Sequence, residues 1–379
     1  MYLGIEASTA GSGGALRHLI EILFRFNPSK HGFSKIKIWG SQEILDQLPS
    51  HEHLVKITHP LLNKGFLSRS LWQLLYRDNQ LKNEIDVLFS PYGTYIGNFR
   101  PYVTMSQNML VFDKKEQKRF GLSLYRLKFI LLHYVQMASF RNSQGLIFIS
   151  EYAKRVIEKH LDFDGINTVV IHHGISDIFK KPPTIQKQIS TYSESNPLKL
   201  LYVSTIFDYK HQINVVESVV RLRHKGFPIV LELVGGVGQK KTGKMLAKKI
   251  KEVVPNSRLI TWSKDVGLNG VVDYYHSCDV FIFASSCENM PNILIEAMAS
   301  GLPIVCSTSE PMPEFLEDAG YYFNPEKITE IEQAVEKMLT ERDLRANFSS
   351  KAFSKAGNYS WEVCADKTFN FLFEMCKKD

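Results

Sequence analysis

The chain has 379 residues, room for two domains of ordinary size, and its apolar fraction of 44% suits a well-cored fold. Its formal charge of +7 sits in the first half, where residues 1–180 hold 22 Lys and Arg against 15 Asp and Glu, which suits either an anionic partner such as phosphate, nucleic acid or a membrane face, or simply scattered surface lysines. Composition argues against a zinc site or a disulfide framework, because the five cysteines are odd in number and form no CxxC pair; no secretory signal is expected, and the most apolar long stretch, Leu122–Phe140, carries Arg126, Lys128 and His133, which a bilayer span would not tolerate cheaply.

In chain order, short β-rich runs alternate with amphipathic stretches. Strands are expected at Leu3–Ala7, Lys35–Trp39, Val55–Thr58, Val87–Ser90, Tyr102–Met105, Leu146–Ile149 and Val169–His172, with helices at Gly14–Phe26, Leu67–Leu81 and Glu151–His160. A polar stretch, Lys180–Pro197, reads as a linker or exposed loop. The alternation restarts with strands at Leu198–Val203, Ile229–Val234, Arg258–Thr261, Val280–Ala284 and Pro303–Cys306, and helices at Asn214–Lys225, Lys240–Val253, Asn269–His276 and Pro291–Ser300. From Ile328 onward the tail reads as helical. The expected fold is α/β: two Rossmann-like, doubly wound parallel sheets in tandem, with ligands at the carboxyl ends of strands and in a cleft between the domains.

Three segments carry chemistry. Thr9–Gly14 (TAGSGG) follows the first strand and opens a helix, where glycines let backbone N–H groups approach an anion or sugar. The glycines stand at 11, 13 and 14, not in GxGxxG spacing, and no acidic residue closes the second strand. A nicotinamide site is therefore not expected, and a plain tight turn weighs as much as a ligand loop. Lys210 sits in the loop after Leu198–Val203, where a lysine can reach a phosphate as a point charge or simply be solvated.

The third is Ser286–Gly301 (SCENMPNILIEAMASG), which holds Glu288 and Glu296 around Pro291. Proline suits the first position of a helix, with Met290 or Asn289 as the cap. Eight residues of helix is about 800°, roughly 80° away from a shared face. The spacing does not imply a close acid/base dyad, and with no His or Asp at ligand spacing it does not imply a metal site either. It implies a helix N-terminus flanked by two carboxylates and the amides of Asn289 and Asn292, a combination that suits a sugar nucleotide. Ile293, Leu294, Ala297 and Met298 read as core.

This block resembles the retaining family-4 glycosyltransferases of GT-B architecture, whose E-x7-E motif Glu288 and Glu296 match. The strand Asp279–Ser285, the continuation Glu296–Val305, Glu314, Gly320–Phe323, Phe148–Lys154, Val170–Ile175 and Tyr359–Trp361 resemble further blocks of the family, across nearly the whole chain. The resemblance implies an N-terminal acceptor-side domain at 1–180, completed by a closing helix at 361–379 that crosses back to it, and a C-terminal nucleotide-sugar domain at 181–360. It implies that Gly13 and Gly14 place backbone amides near the donor diphosphate or acceptor. Lys210, beside Thr205, would bind the diphosphate. Glu288 would sit by the donor sugar and Glu296 by the ribose, and the donor-binding loop would be Asn289, Met290, Pro291 and Asn292, offering N–H groups from its non-proline residues. Glu288 and Lys210 are thus the catalytic candidates, with Gln107, Asn108 and His173 on the acceptor side. No metal and no cofactor is implied beyond the nucleotide-diphosphate sugar as co-substrate. Three positions depart from the pattern: Ser204-Thr205 stands where the family often has Gly-Arg, Gln107-Asn108 where it has His-Asp, and Pro291 where it has glycine.

The resemblance implies a cytoplasmic, metal-independent hexosyltransferase acting on a glycan or polyprenyl-diphosphate-linked acceptor in cell-surface polysaccharide assembly, lipopolysaccharide or capsule in type. Nucleic acid is not an expected partner. Two alternatives stay open: a sugar-nucleotide epimerase of the same fold, and a non-catalytic anion-binding protein using the basic first half. Asp162-Phe-Asp164 is formally a D-x-D but reads as a turn, and His133 reads as packing. Lys114–Lys128 forms a basic, aromatic stretch that suits either a helix on the sheet or peripheral contact with an anionic membrane.

Overall fold

The computed structural model describes residues 1–11, 13–253 and 258–377; Ser12 of the glycine loop and the last two residues of the closing segment lie outside them. The chain divides into two compact units, Met1–Gly174 with Ser360–Asp379, and Ile175–Tyr359.

Unit 1 contains β1 (Tyr2–Glu6), α1 (Gly14–Phe24), α2 (Pro28–His31), β2 (Lys35–Trp39), α3 (Gln42–Leu45), β3 (Leu54–Ile57), α4 (Phe66–Leu75), α5 (Arg77–Leu81), β4 (Val87–Ser90), β5 (Tyr102–Ser106), α6 (Lys114–Lys118), α7 (Leu124–Arg141), β6 (Gly145–Phe148), α8 (Glu151–Glu158) and β7 (Asn167–Val170). Its seven strands run in the order β3-β2-β1-β4-β5-β6-β7, all parallel. β4, β5 and β6 are buried at every residue, as strands covered on both faces must be.

Unit 2 contains β8 (Leu198–Val203), α9 (Gln212–His224), β9 (Ile229–Val234), α10 (Lys240–Val253), β10 (Ile260–Ser263), α11 (Leu268–Ser277), β11 (Val280–Phe283), α12 (Asn292–Ala299), β12 (Ile304–Ser307), α13 (Met312–Leu316), β13 (Tyr321–Phe323), α14 (Ile328–Thr340) and α15 (Arg342–Ala356). Its six parallel strands run β10-β9-β8-β11-β12-β13. The last helix, α16 (Trp361–Met375), belongs to unit 1 and packs on α1, α2, β4 and β5. Residues 175–180 belong to unit 2: the Ile175 N–H donates to the Tyr359 carbonyl at 3.1 Å, and the Ser300 hydroxyl to the Phe179 carbonyl at 2.9 Å.

In each sheet the strand order reverses once, between β1 and β4 in unit 1 and between β8 and β11 in unit 2. At such a point the loops leaving the two strands part to opposite faces and open a crevice at the carboxyl edge.

Two helices expected from the sequence are broken. Leu67–Leu81 divides at Tyr76 (φ −118°, ψ −34°) into α4 and α5. Trp72 and Arg77 are both buried, yet five residues of helix is about 140°. A straight helix would turn one of them outward; the break lets Arg77 stack 4.2 Å above the Tyr95 ring. The basic stretch 114–128 likewise divides between α6 and α7, at Gly121 with φ +57°. Among the described residues no helix is long and apolar enough to cross a membrane.

Candidate functional site

The carboxyl ends of β8 and β11 bring two of the sequence-singled residues together. Lys210 closes a single 3-10 turn after β8, and Glu288 lies in the loop after β11. Their side chains form an ion pair, 8% and 16% exposed respectively. The Lys210 ammonium also lies 5.4 Å from the Tyr209 ring centroid and 5.5 Å from that of Phe283. The paired carboxylate and the aromatic faces offset the cost of taking this ammonium out of water.

Both loops are held by neighbours that the sequence did not mark. The Tyr202 hydroxyl, fully buried in β8, donates to the Lys210 carbonyl at 2.5 Å; burial pushes that phenol well above its usual range. Ser286 ties the β11 loop to the β8 loop, its N–H donating to the Tyr209 carbonyl at 2.8 Å and its hydroxyl lying 3.0 Å from the His211 ring nitrogen. His211 adopts a left-handed conformation (φ 51°, ψ 29°) at the N-cap of α9. Gln212 donates to the Thr205 carbonyl at 3.1 Å, which fixes the exposed Thr205 at the rim. Gly235, with φ 141°, is required where the loop after β9 passes, because a Cβ there would overlap the Ser204 carbonyl.

The segment after β11 corrects one expectation. Pro291 is the N-cap of α12, not its first helical residue: its ψ of 77° is non-helical, and its carbonyl accepts from Leu294 at 2.8 Å and Ile295 at 3.2 Å. Asn292 is therefore the first helical residue. Asn289 and Met290 are buried just before it. Glu296 lies in the second turn, nearly buried, with its carboxylate 3.2 Å from the Tyr275 hydroxyl of α11. That hydroxyl is also 3.1 Å from the Ile293 carbonyl. Glu288 and Glu296 thus have separate partners, a lysine from the β8 loop and a tyrosine from α11. Leu294, Ala297 and Met298 are fully buried core.

In unit 1 the expected residues have local roles. Gly13 caps α1 at φ 100°, ψ −154°, a backbone that favours glycine, and Gly14 opens the helix. Gln107 donates to the Pro91 carbonyl at 2.9 Å, and Asn108 accepts from the Leu110 N–H at 3.1 Å to cap a 3-10 turn. His173 is buried, stacked 4.8 Å from His18 and 5.4 Å from Trp361. His133 packs 5.2 Å from Phe112. Asp162 accepts from the Asp164 N–H at 3.1 Å, the hydrogen bond of a turn.

A cluster that sequence reading did not single out stands at the unit 1 reversal point. Glu6, at the end of β1, is fully buried and accepts from the Ser8 hydroxyl, from Gln73 at 3.3 Å and from Ser90, at the end of β4, at 3.5 Å. All three donors are neutral. Burial, then the Glu6 charge, raise the phenol of Tyr92. The signal in the sequence is a glutamate ending an otherwise apolar strand.

Comparison with known proteins gives three findings. Residues 185–355, nearly all of unit 2, match the family model described as Glycosyl transferases group 1. A 96-residue stretch is 29% identical to the O-antigen chain mannosyltransferase B of Escherichia coli, and it spans a quarter of this chain and a quarter of that one. Among solved structures, sucrose-phosphate synthase from Thermosynechococcus elongatus aligns over all of both chains with a TM-score of 0.77 at 14% identity. The Anabaena protein HepE, in complex with UDP-glucose, aligns over 99% of both chains with a TM-score of 0.72 at 17% identity. The fold is therefore the GT-B architecture, two Rossmann-like domains each built on a parallel sheet.

Proposed function

We propose that this chain is a retaining, metal-independent glycosyltransferase that moves a hexose from a nucleotide-diphosphate sugar to a glycan acceptor in cytoplasmic assembly of a surface polysaccharide. The observation that carries the reading is the Lys210–Glu288 pair at the reversal point of the unit 2 sheet. The match of residues 185–355 to the glycosyl transferase model supports it, as does the E. coli relative's role as an O-antigen mannosyltransferase.

In this reading Lys210 exchanges Glu288 for the donor diphosphate. The ammonium then neutralises charge that grows on the leaving oxygen as the sugar C1–O bond breaks. Glu288, released, accepts hydroxyl hydrogens of the donor sugar. The α12 N-terminus and the N–H groups of Asn289 and Met290 meet the phosphates, and Glu296 accepts from the ribose. The acceptor oxygen bonds C1 on the face the diphosphate leaves, and its proton passes to the departing diphosphate oxygen, so configuration is retained. The protein contributes position and charge stabilisation. Thr205, in place of an arginine, offers one neutral hydrogen bond to the phosphates. A polyprenyl-diphosphate-linked glycan is the acceptor class this role calls for.

The test is a thermal-shift panel of GDP, UDP, dTDP and ADP on the full chain, followed by turnover of the matching nucleotide sugar. One diphosphate is expected to raise the midpoint clearly more than the others. Lys210→Ala should abolish that shift and lower turnover by about 100-fold or more, the scale of losing one preorganised charge contact. A Lys210→Ala variant with full turnover refutes the phosphate assignment. Conversion of the nucleotide sugar without acceptor would instead mark an epimerase.

A further inference from the structure

Helix α7 is amphipathic with its apolar side outward. None of its residues from Leu124 to Val135 is buried, and Leu124, Leu127, Ile130, Leu131 and Tyr134 are all exposed. They share an arc of about 120°. A helix at a protein surface ordinarily turns such an arc to the core. Here Leu124 is 84% and Leu131 58% exposed. The helix is held instead through Phe120, whose ring lies 5.4 Å from Phe129, and through its buried C-terminal residues Met137 and Phe140.

Helix α4 repeats the pattern. Leu67, Leu71 and Leu74 stand at i, i+4 and i+7, and Leu67 and Leu74 are 82% and 77% exposed. The two helices share one face of the sheet. The connections from β3 to β4 and from β5 to β6 both run toward β7 in the strand order, and α1 runs the other way. Right-handed crossovers then place α4 and α7 together, opposite α1. One cavity of about 410 Å³ joins them, lined by Gln73 and Leu74 of α4 and by Asn142, the C-cap of α7.

Charge selects the occupant. Residues 117–150 are the longest run of the chain without a carboxylate, 34 residues, and hold Lys118, Arg126 and Lys128. Residues 53–77 also lack any carboxylate and hold Lys64 and Arg69. Asp78, on the wall of that cavity, is paired with Arg77 at 3.2 Å, and outward leucines framed by cations fit an anionic lipid surface.

We propose that the face of unit 1 bearing α4 and α7 docks on an anionic bilayer, with the leucines of both helices entering the headgroup–acyl boundary and Lys118, Arg126 and Lys128 meeting the headgroups. No step of glycosyl transfer enters this proposal, so binding can fail while transfer stands, and the reverse.

The test is flotation of the full chain with phosphatidylcholine vesicles, with and without phosphatidylglycerol. The protein is expected to float with the anionic vesicles and to be released by high salt. Leu124→Glu with Leu131→Glu should weaken retention on the order of tenfold or more, and Leu67→Glu with Leu74→Glu should weaken it in the same direction. Val363→Glu, at an exposed position on α16, should leave it unchanged. Every substituted side chain is solvent-facing, and unchanged thermal midpoints would establish that the variants fold. Failure of the wild type to float with anionic vesicles overturns the proposal, as does equal retention of the leucine variants. It also falls if light scattering finds a wild-type dimer that those variants dissociate, because a second copy would then cover the face.

Discussion

Lys210 and Glu288 are 78 positions apart in sequence, and neither residue alone distinguishes itself from an ordinary surface charge. Their pairing in a nearly buried position makes each one's desolvation depend on the other; under the proposed function, a donor diphosphate would compete with Glu288 for Lys210. His18 raises the same matter of charge without a partner. Its ring is fully buried, and among the described residues neither ring nitrogen has a hydrogen-bond partner. Burial, then the neighbouring His173, hold its pKa well below the usual 6.5. Above about pH 7.5 the ring is neutral in both folded and unfolded chains and contributes no pH dependence. As pH falls through the unfolded value the unfolded chain takes a proton that the folded one refuses, so stability is lost toward acid. We expect His18→Phe to remove up to about 1.4 kcal/mol per pH unit of that slope below pH 6, measured as urea unfolding free energies from pH 7.5 to 5. An unchanged slope would show that other groups set it.

Local rules explain the elements that were legible and those that were not. Val87–Ser90, Leu198–Val203, Ile229–Val234 and Lys240–Val253 form the elements their patterns predict, because a short apolar run or a helical stripe carries its own signal. Helix α8 adds a cap: Ser150 accepts from the Ala153 N–H at 3.1 Å, with Glu151 in the first turn. Ser150→Ala is expected to cost about 1 kcal/mol of unfolding free energy, read from denaturant midpoints at constant slope. No change would mean that another donor or acceptor takes over the helix end. The break at Tyr76 was not legible, since it answers to Trp72 and Arg77 both needing burial. Pro291 shows a finer limit: its ring suits either the cap or the first helical position, and the geometry of the following turn decides between them.

The whole chain ends where it began, in unit 1. Helix α16 buries Trp361, Phe369, Phe371, Leu372 and Met375, and Asp366 accepts from the Lys30 ammonium at 2.6 Å and lies 3.0 Å from the His31 ring nitrogen. Gly174 is a glycine for the same reason, because a Cβ there would overlap the backbone of Trp361. Removing residues 361–379 should therefore uncover α1, β4 and β5. The truncated chain is expected to lose the cooperative unfolding of unit 1, seen by calorimetry as a missing transition, and to bind the hydrophobic dye ANS. Retention of all wild-type transitions would show that α16 is dispensable to that core.

The α/β alternation and most strand positions are legible without any coordinates, because each is written in residues close together along the chain. So is the charge asymmetry of the first half. Contacts between distant segments settle that Lys210 meets Glu288, that Tyr202, Ser286 and His211 hold them, and that Glu6 is sealed among neutral donors. The fold alone turns the leucines of α4 and α7 outward. These are facts about pairs of strands and faces of helices, and a parallel sheet makes its pairs from segments that the sequence keeps far apart.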